Sequence, residues 1–446
     1  MKQKRPHVLI LMCDQMQHHR LGILDPNAYT PHLDRLVSEG VHFTHAFTQQ
    51  GQCVPARAVF MTGQPAHRCG VIVNYGFYGH QNMLTSRHVT LPSILRRHGY
   101  HTVHFGKRHF GTHLDALGFD VWDDYEEHEP DDEEAADLGI QFVPNQLRKD
   151  YRAAQQAVEF LNNYSPQPDR PLYFVFSTNL PHPPFFTDPN YRDRFSPEQF
   201  RLPESFFHED FAHKPPFLKE HVEDGRHGIF DPDALREMMH QYYTMIAAMD
   251  EHIGQMIECF KAKGMWEDTL VLFFADHGDM MGSHKMRLKG TLPYDELYRI
   301  PCIFKLPQSC QAISPRVSNL VSSVQFPATI LDLCGIEPPP SFEGESFARL
   351  FFEHVPTTSD KPVFFEHYAA YWGIHPFCGI RTHTHKYVYY LASEEEELYD
   401  LEQDPNELHN LASVASLSGL KKQLKDQLLD WWQKTGGKDV AYYESD

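Results

Sequence analysis

Thirty histidines stand among 446 residues, and a neutral imidazole both binds metals and takes up protons near neutral pH. A lone His or Lys is more often solvated or satisfied in a core, so grouping matters more than number. Asp14 closes a short apolar run, Asn179–His182 follows a second, and Asp276-His277 follows a third. The stretch Cys53-Val54-Pro55-Ala56-Arg57-Ala58-Val59-Phe60-Met61-Thr62-Gly63 sets a thiol two residues before a proline and four before an arginine. Carboxylates, imidazoles, a thiol and a guanidinium are the components of metal-assisted, nucleophilic or acid–base chemistry.

The elements that must bring them together are short. His7–Met12, Pro171–Ser177, Thr269–Ala275 and Pro301–Leu306 are apolar runs of strand length, and helical patterns lie between them. The clearest helix begins at Asp231-Pro232, a cap followed by proline in the first turn, and carries Leu235, Met239, Tyr242, Ile246, Met249, Ile253, Met256 and Phe260 on one face. Strands alternating with helices predict an α/β fold, a large mostly parallel sheet sandwiched by helices. In such a sheet ligands collect outside the carboxyl ends of the strands, where Asp14, Asn179–His182 and Asp276-His277 stand.

Composition sets the outer limits. With 41% hydrophobic and 22% charged residues the chain is globular, and 60 acidic against 40 basic side chains argue against a nucleic-acid partner. The eight cysteines lack disulfide-scaffold or zinc spacing, which points to a reducing compartment. No run approaches a membrane span, and the apolar run after the basic Met1–Arg5 is too short for a secretion signal, so the expected location is the cytoplasm. Pro338-Pro339-Pro340 marks a boundary between a catalytic domain, 1–345, and a smaller C-terminal α+β subdomain, 346–446. That subdomain ends in an amphipathic helix with Leu417, Leu420, Leu424, Leu428 and Trp431 on its packed face, while Glu394–Glu397 reads as an exposed loop. The acidic run Asp123–Asp137 reads as a solvated insertion.

The stretch around Cys53 resembles the signature of the type I, formylglycine-dependent sulfatases of the alkaline-phosphatase-like superfamily. In that family a maturation enzyme reads Cys, Pro and Arg at the spacing held by Cys53, Pro55 and Arg57 and oxidises the Cys to formylglycine, whose hydrated aldehyde is the nucleophile. Ala56 stands where the family more often has Ser. Asp14-Gln15 resembles the first metal loop, and Asp276-His277-Gly278-Asp279 the second. The resemblance implies one Ca2+, or Mn2+ or Mg2+, held by Asp14, Cys53, Asp276 and His277, with Gln15 and Asn74 as further candidates; oxygen donors with one imidazole suit such an ion. Many members carry two adjacent Asp where this chain has Asp14-Gln15, and single-Asp sites resemble the choline-sulfatase and phosphonate monoester hydrolase branches. Gly106-Lys107-Arg108-His109-Phe110-Gly111 resembles the family's Gly-Lys-aromatic-His-Leu-Gly block. Pro181-His182-Pro183-Pro184-Phe185 resembles its substrate-side His loop, and Lys289 matches the lysine after the second metal loop.

The implied activity is hydrolysis of a carbohydrate or other small organic sulfate. Arg57, Lys107 and Lys289 would surround the sulfuryl oxygens, His182 or Lys289 would protonate the leaving oxygen, and His109 would take the proton whose loss lets the hydrate expel sulfate. A phosphonate monoester or phosphodiester hydrolase on the same scaffold is the alternative, and a non-catalytic binder of sulfated glycans that keeps Cys53 as a thiol is a second. Asn74, Tyr75, His80, Asn82, His104 and the loop from Phe185 to Tyr191 are candidate pocket walls. The expected partners are the sulfate substrate and the maturation enzyme.

Overall fold

The unbroken apolar run His7–Cys13 forms β1, buried along its whole length as a strand covered on both faces must be. The computed structural model describes residues 5–74, 83–111, 113–125, 148–223, 227–370 and 373–438; the pocket-wall candidates Tyr75, His80 and Asn82 and the acidic run beyond Tyr125 lie outside them. β1 belongs to an eight-stranded sheet with β2 (Val41–Phe43), β3 (His101–Gly106), β4 (Val121–Trp122), β5 (Leu172–Ser177), β6 (Thr269–Ala275), β7 (Cys302–Lys305) and β8 (Arg316–Val317), in the order β8-β2-β7-β6-β1-β5-β3-β4. Within this sheet only β7 runs antiparallel to its neighbours. The parallel block β6-β1-β5-β3 therefore delivers four carboxyl ends to one edge.

Helices cover both faces. On one side α1 (Pro31–Glu39), Lys149–Asn163 and Pro232–Ala262 pack together, and Phe160 and Phe260 meet Phe174 of β5. On the other α2 (Cys53–Thr62) lays Phe60 on Phe274 of β6, 4.8 Å between ring centres. Lys149–Asn163 and Pro232–Ala262 are α3 and α4. The Asp231 side chain accepts a hydrogen bond from Asp233 N, the cap expected from sequence. Asp250 of α4 accepts from the backbone N–H groups of His32 and Leu33, satisfying two donors at the start of α1.

A second, antiparallel sheet follows: β9 (Val363–Ala370), β10 (Gly373–Arg381), β11 (His385–Tyr390) and β12 (Glu396–Asp400). Glu394–Glu397 is not one exposed loop. Glu396 and Glu397 begin β12, and Glu397 is fully buried, accepting hydrogen bonds from the hydroxyls of Tyr390 and Tyr399. The closing helix α5 (Ser418–Lys434) buries Leu424, Leu428 and Trp432. Trp432, four residues beyond Leu428, continues the buried line, while the half-buried Trp431 stacks on Phe364. Among the described residues no helix is long and apolar enough to cross a membrane, and all eight cysteines are unbridged.

A buried ionic network ties this sheet to the main domain. Lys214 pairs with Glu209 at 2.6 Å and donates to the Glu407 carbonyl, His284 meets the same Glu209 carboxylate, and Lys386 of β11 pairs with Asp295 and Glu407. Burial opposes ionisation of Glu209, but His284 and Lys214 outweigh it and push the carboxyl down to about 2. Because the folded value lies below the ordinary one, Glu209 contributes stability above pH 4.5 that is lost as pH falls toward 2. Lys214→Met, which takes the ammonium from that buried carboxylate, should cost about 3 kcal/mol in urea unfolding at pH 7, and Glu209→Gln should flatten the acid limb of the stability profile. An unchanged midpoint in the first variant, or an unchanged acid limb in the second, contradicts the assignment.

Candidate functional site

Most of the candidate side chains leave the carboxyl end of a parallel strand or the start of the helix facing it, while Lys289 and Asn74 come from longer loops. Asp14 follows β1, Asp276-His277 follows β6, Lys107 follows β3, and Asn179 lies just beyond β5. Cys53 is the first residue of α2. β3 and β5 can approach this closely because Gly106 permits it: a Cβ there, where φ is 90°, would lie 2.0 Å from the Ser177 carbonyl oxygen, and in the loop after β6 a Cβ on Gly278 would lie 1.9 Å from the carbonyl oxygen of Glu296.

Asp14, Cys53, Asp276 and His277 are buried, with one donor atom from each within 4.8 Å of the others. Cys53 Sγ lies 3.2 Å from His277 Nε2 and 3.6 Å from Asp14 Oδ1. His277 Nδ1 donates to the Gly278 carbonyl at 2.8 Å, which leaves the Nε2 lone pair facing the carboxylates. Two carboxylates and an imidazole presenting lone pairs to one point form a donor set that fits a divalent cation.

Cations surround the set. Arg57, with no exposed surface, donates from Nε to Asp276 at 2.8 Å, from Nη2 to Asp14 at 3.1 Å, and from Nη1 to Ser177 Oγ and the Lys107 carbonyl. Lys107 Nζ lies 2.9 Å from Asp14 Oδ2 and 2.6 Å from Asn179 Oδ1. Lys289 Nζ lies 2.8 Å from Cys53 Sγ and 2.8 Å from Gln15 Oε1. Burial alone would raise the Asp14 carboxyl; Lys107, His182, Lys289 and Arg57 outweigh it and hold the carboxyl well below its ordinary value. Burial and the Asp14 charge push the Cys53 thiol up to about 11 against the pull of Lys289 and Lys107.

His109 and His182 share this field. Burial lowers both well below the ordinary imidazole value, helped by Lys107 and Arg57 at His109 and by Lys289 and Lys107 at His182. His182 Nδ1 donates to the Pro183 carbonyl at 2.6 Å, so Nε2 is the atom left for proton exchange.

The two remaining candidates sit otherwise. Gln15 places its amide on Lys289 and Asp279, and Asn74 Oδ1 accepts from Val54 N at 3.1 Å, steadying the start of α2. His104, a candidate pocket wall, is a buried strand residue between Phe110 and Phe119. Sequence reading missed Ser177 and Asp150. Asp150, in the first turn of α3, accepts from Thr178 Oγ1 and Asn179 N, and so fixes the segment that holds Lys107. Nothing local in the sequence around Asp150 signals that contact.

A profile of the family described as Sulfatase matches residues 6–336, and one described as N-sulphoglucosamine sulphohydrolase, C-terminal, matches 282–434. The uncharacterized sulfatase YidJ of Escherichia coli K12 is 28% identical over 97% of this chain and 88% of its own length. The N-acetylglucosamine-6-O-sulfatase of Bacteroides thetaiotaomicron is 25% identical over 97% of this chain and 87% of its own. Among solved structures, the phosphonate monoester hydrolase of Agrobacterium radiobacter superposes with a TM-score of 0.80 at 23% identity, over 98% of this chain and 97% of that one, a likeness of fold.

Arg57→Lys tests the cage. A single ammonium cannot reach Asp14, Asp276 and Ser177 together, so two buried carboxylates lose their common partner and the variant should be destabilised by about 3 kcal/mol. A thermal midpoint equal to that of the wild type would show that the guanidinium does not hold the two strand ends.

Proposed function

The chain belongs to the sulfatase family, and from that premise we propose that it hydrolyses the sulfate ester of a carbohydrate or another small organic sulfate, using a formylglycine made from Cys53 and a divalent cation, Ca2+ or Mn2+ or Mg2+. The observation that carries the reading is the convergence of Asp14, Cys53, Asp276 and His277 beside the ammonium groups of Lys107 and Lys289. Asp14, Asp276, His277 and residue 53 would hold the cation, which supplies a Lewis acid that lowers the pKa of a hydroxyl on hydrated residue 53. The carbohydrate class is taken from the N-acetylglucosamine-6-O-sulfatase relative.

The chain's own residues do the rest. Arg57 keeps Asp14 and Asp276 in place, and Lys107 and Lys289 hold fixed positive charge against the sulfuryl oxygens, where charge shifts as the S–O bond breaks. The departing oxygen takes its proton from Lys289, or from His182 once its Nε2 has been protonated, and His109 accepts the proton released when residue 53 returns to the aldehyde. A phosphonate monoester or phosphodiester hydrolase is the second reading, favoured by Gln15 standing where many members carry a second Asp. Its substrates are monoanions like a sulfate ester, so the same cations suit both.

Peptide mass at position 53, on protein made with a formylglycine-generating maturation enzyme present, should match the aldehyde or its hydrate; an unmodified thiol removes the covalent route and favours a binder. Cys53→Ala should abolish turnover while leaving the fold nearly intact, and Cys53→Ser should fail in steady state for want of a second hydroxyl. Wild-type rates in either variant contradict the proposal. Chelation should abolish activity and lower the thermal midpoint, and Ca2+ at 100 times its Kd should restore about 2.7 kcal/mol. A panel of sulfate and phosphonate monoesters decides between the two readings by their kcat/KM values.

A further inference from the structure

Both polar ends of the Gln15 side chain are engaged. Its Oε1 accepts from Lys289 Nζ at 2.8 Å and its Nε2 donates to Asp279 Oδ2 at 2.5 Å. The orientation of the amide is set by its partners, since an ammonium offers only donors and must face the oxygen. The backbone is clamped as well: Gln15 N donates to Asp276 Oδ1 at 3.2 Å, and Tyr242 Oη donates to the Gln15 carbonyl at 2.8 Å. These bonds hold a side-chain-bearing residue at φ 69°, in the left-handed region. Asp279, with no exposed surface, also accepts from Met281 N and Leu288 N, so one carboxylate anchors both the Gln15 amide and the turn that ends at Lys289.

We propose that Gln15 and Asp279 are a positioning pair that aims Lys289 at residue 53 and at the anion bound there, and that Gln15 is not a ligand of the cation. The proposal rests on the sulfate-binding role given above to Lys289. A neutral amide suits this position because it directs the ammonium without neutralising it, whereas a carboxylate at position 15 would form an ion pair with Lys289 and compete with the substrate for its charge. The oxygen that Gln15 could offer a metal is the one on which it receives the Lys289 ammonium.

The test uses the full chain, with Ca2+ alone and inorganic sulfate as probes, each titrated calorimetrically. Gln15→Ala should bind Ca2+ within about threefold of wild type, yet bind sulfate to the Ca2+-loaded protein about tenfold more weakly, the size of loss usual for an outer support. Gln15→Glu should weaken sulfate further without tightening Ca2+. Asp279→Asn should weaken sulfate in the wild-type background and have little effect beside Gln15→Ala. In a Lys289→Ala background Gln15→Ala should change sulfate binding by less than about twofold, because residues acting through one another are not additive. A purely structural role would give additive losses and overturn the inference. So would a loss of Ca2+ affinity of about tenfold or more in Gln15→Ala, which would put the side chain in the service of the cation rather than of Lys289. A wild-type protein that binds sulfate but hydrolyses no sulfate ester defeats the proposed function, while the binding cycle still decides the role of Gln15.

Discussion

A guanidinium sealed from water between two carboxylates is tolerated only when its donors find partners, and Arg57 places four N–H groups by joining the ends of β1 and β6 to Ser177 at the end of β5 and the carbonyl of Lys107 after β3. The four parallel strands whose carboxyl ends form the site are thus held at their tips by one side chain. Because that side chain arises from α2, the same contact sets the height of Cys53 above the sheet edge. In a protein of net charge −20, the ammonium groups of Lys107 and Lys289 are gathered at this edge.

Support comes from outside the parallel sheet as well. The segment from Asp279 to Lys289 carries His284, whose partner Glu209 is paired with Lys214, and Lys214 in turn reaches the Glu407 carbonyl beyond β12. Thr291, two residues past Lys289, meets His367 of β9. The second sheet therefore acts as a buttress for the loop bearing Lys289, even though it contributes none of the four donors of the proposed cation site.

Much of this is legible in the order of residues. The runs ending at Cys13, Ser177 and Ala275 are buried strands because uninterrupted apolar residues can be satisfied only by cover on two faces, and the polar residues after them fall where parallel strands deliver ligands. The direction of β7 is not legible, since an apolar run reads alike in either sense. Glu397 reads as exposed because a row of glutamates suggests solvent; two tyrosine hydroxyls, one on the next strand and one two residues on, take it inside. Asp150 and the commitment of the Gln15 amide are invisible for the same reason: both depend on partners far away in the chain.

Distance along the chain has a further consequence, one of timing. Gln15 and Asp276 share a hydrogen bond across 261 positions, and β1 cannot be flanked on both sides until β6 exists. At about 5–20 residues per second of synthesis, that gap lasts roughly ten to fifty seconds. Throughout it, Cys53, which the finished fold buries completely, belongs to a chain that has not yet closed over it. The order of the strands thereby sets a clock during which the thiol can be reached, and the arrival of β6 ends it.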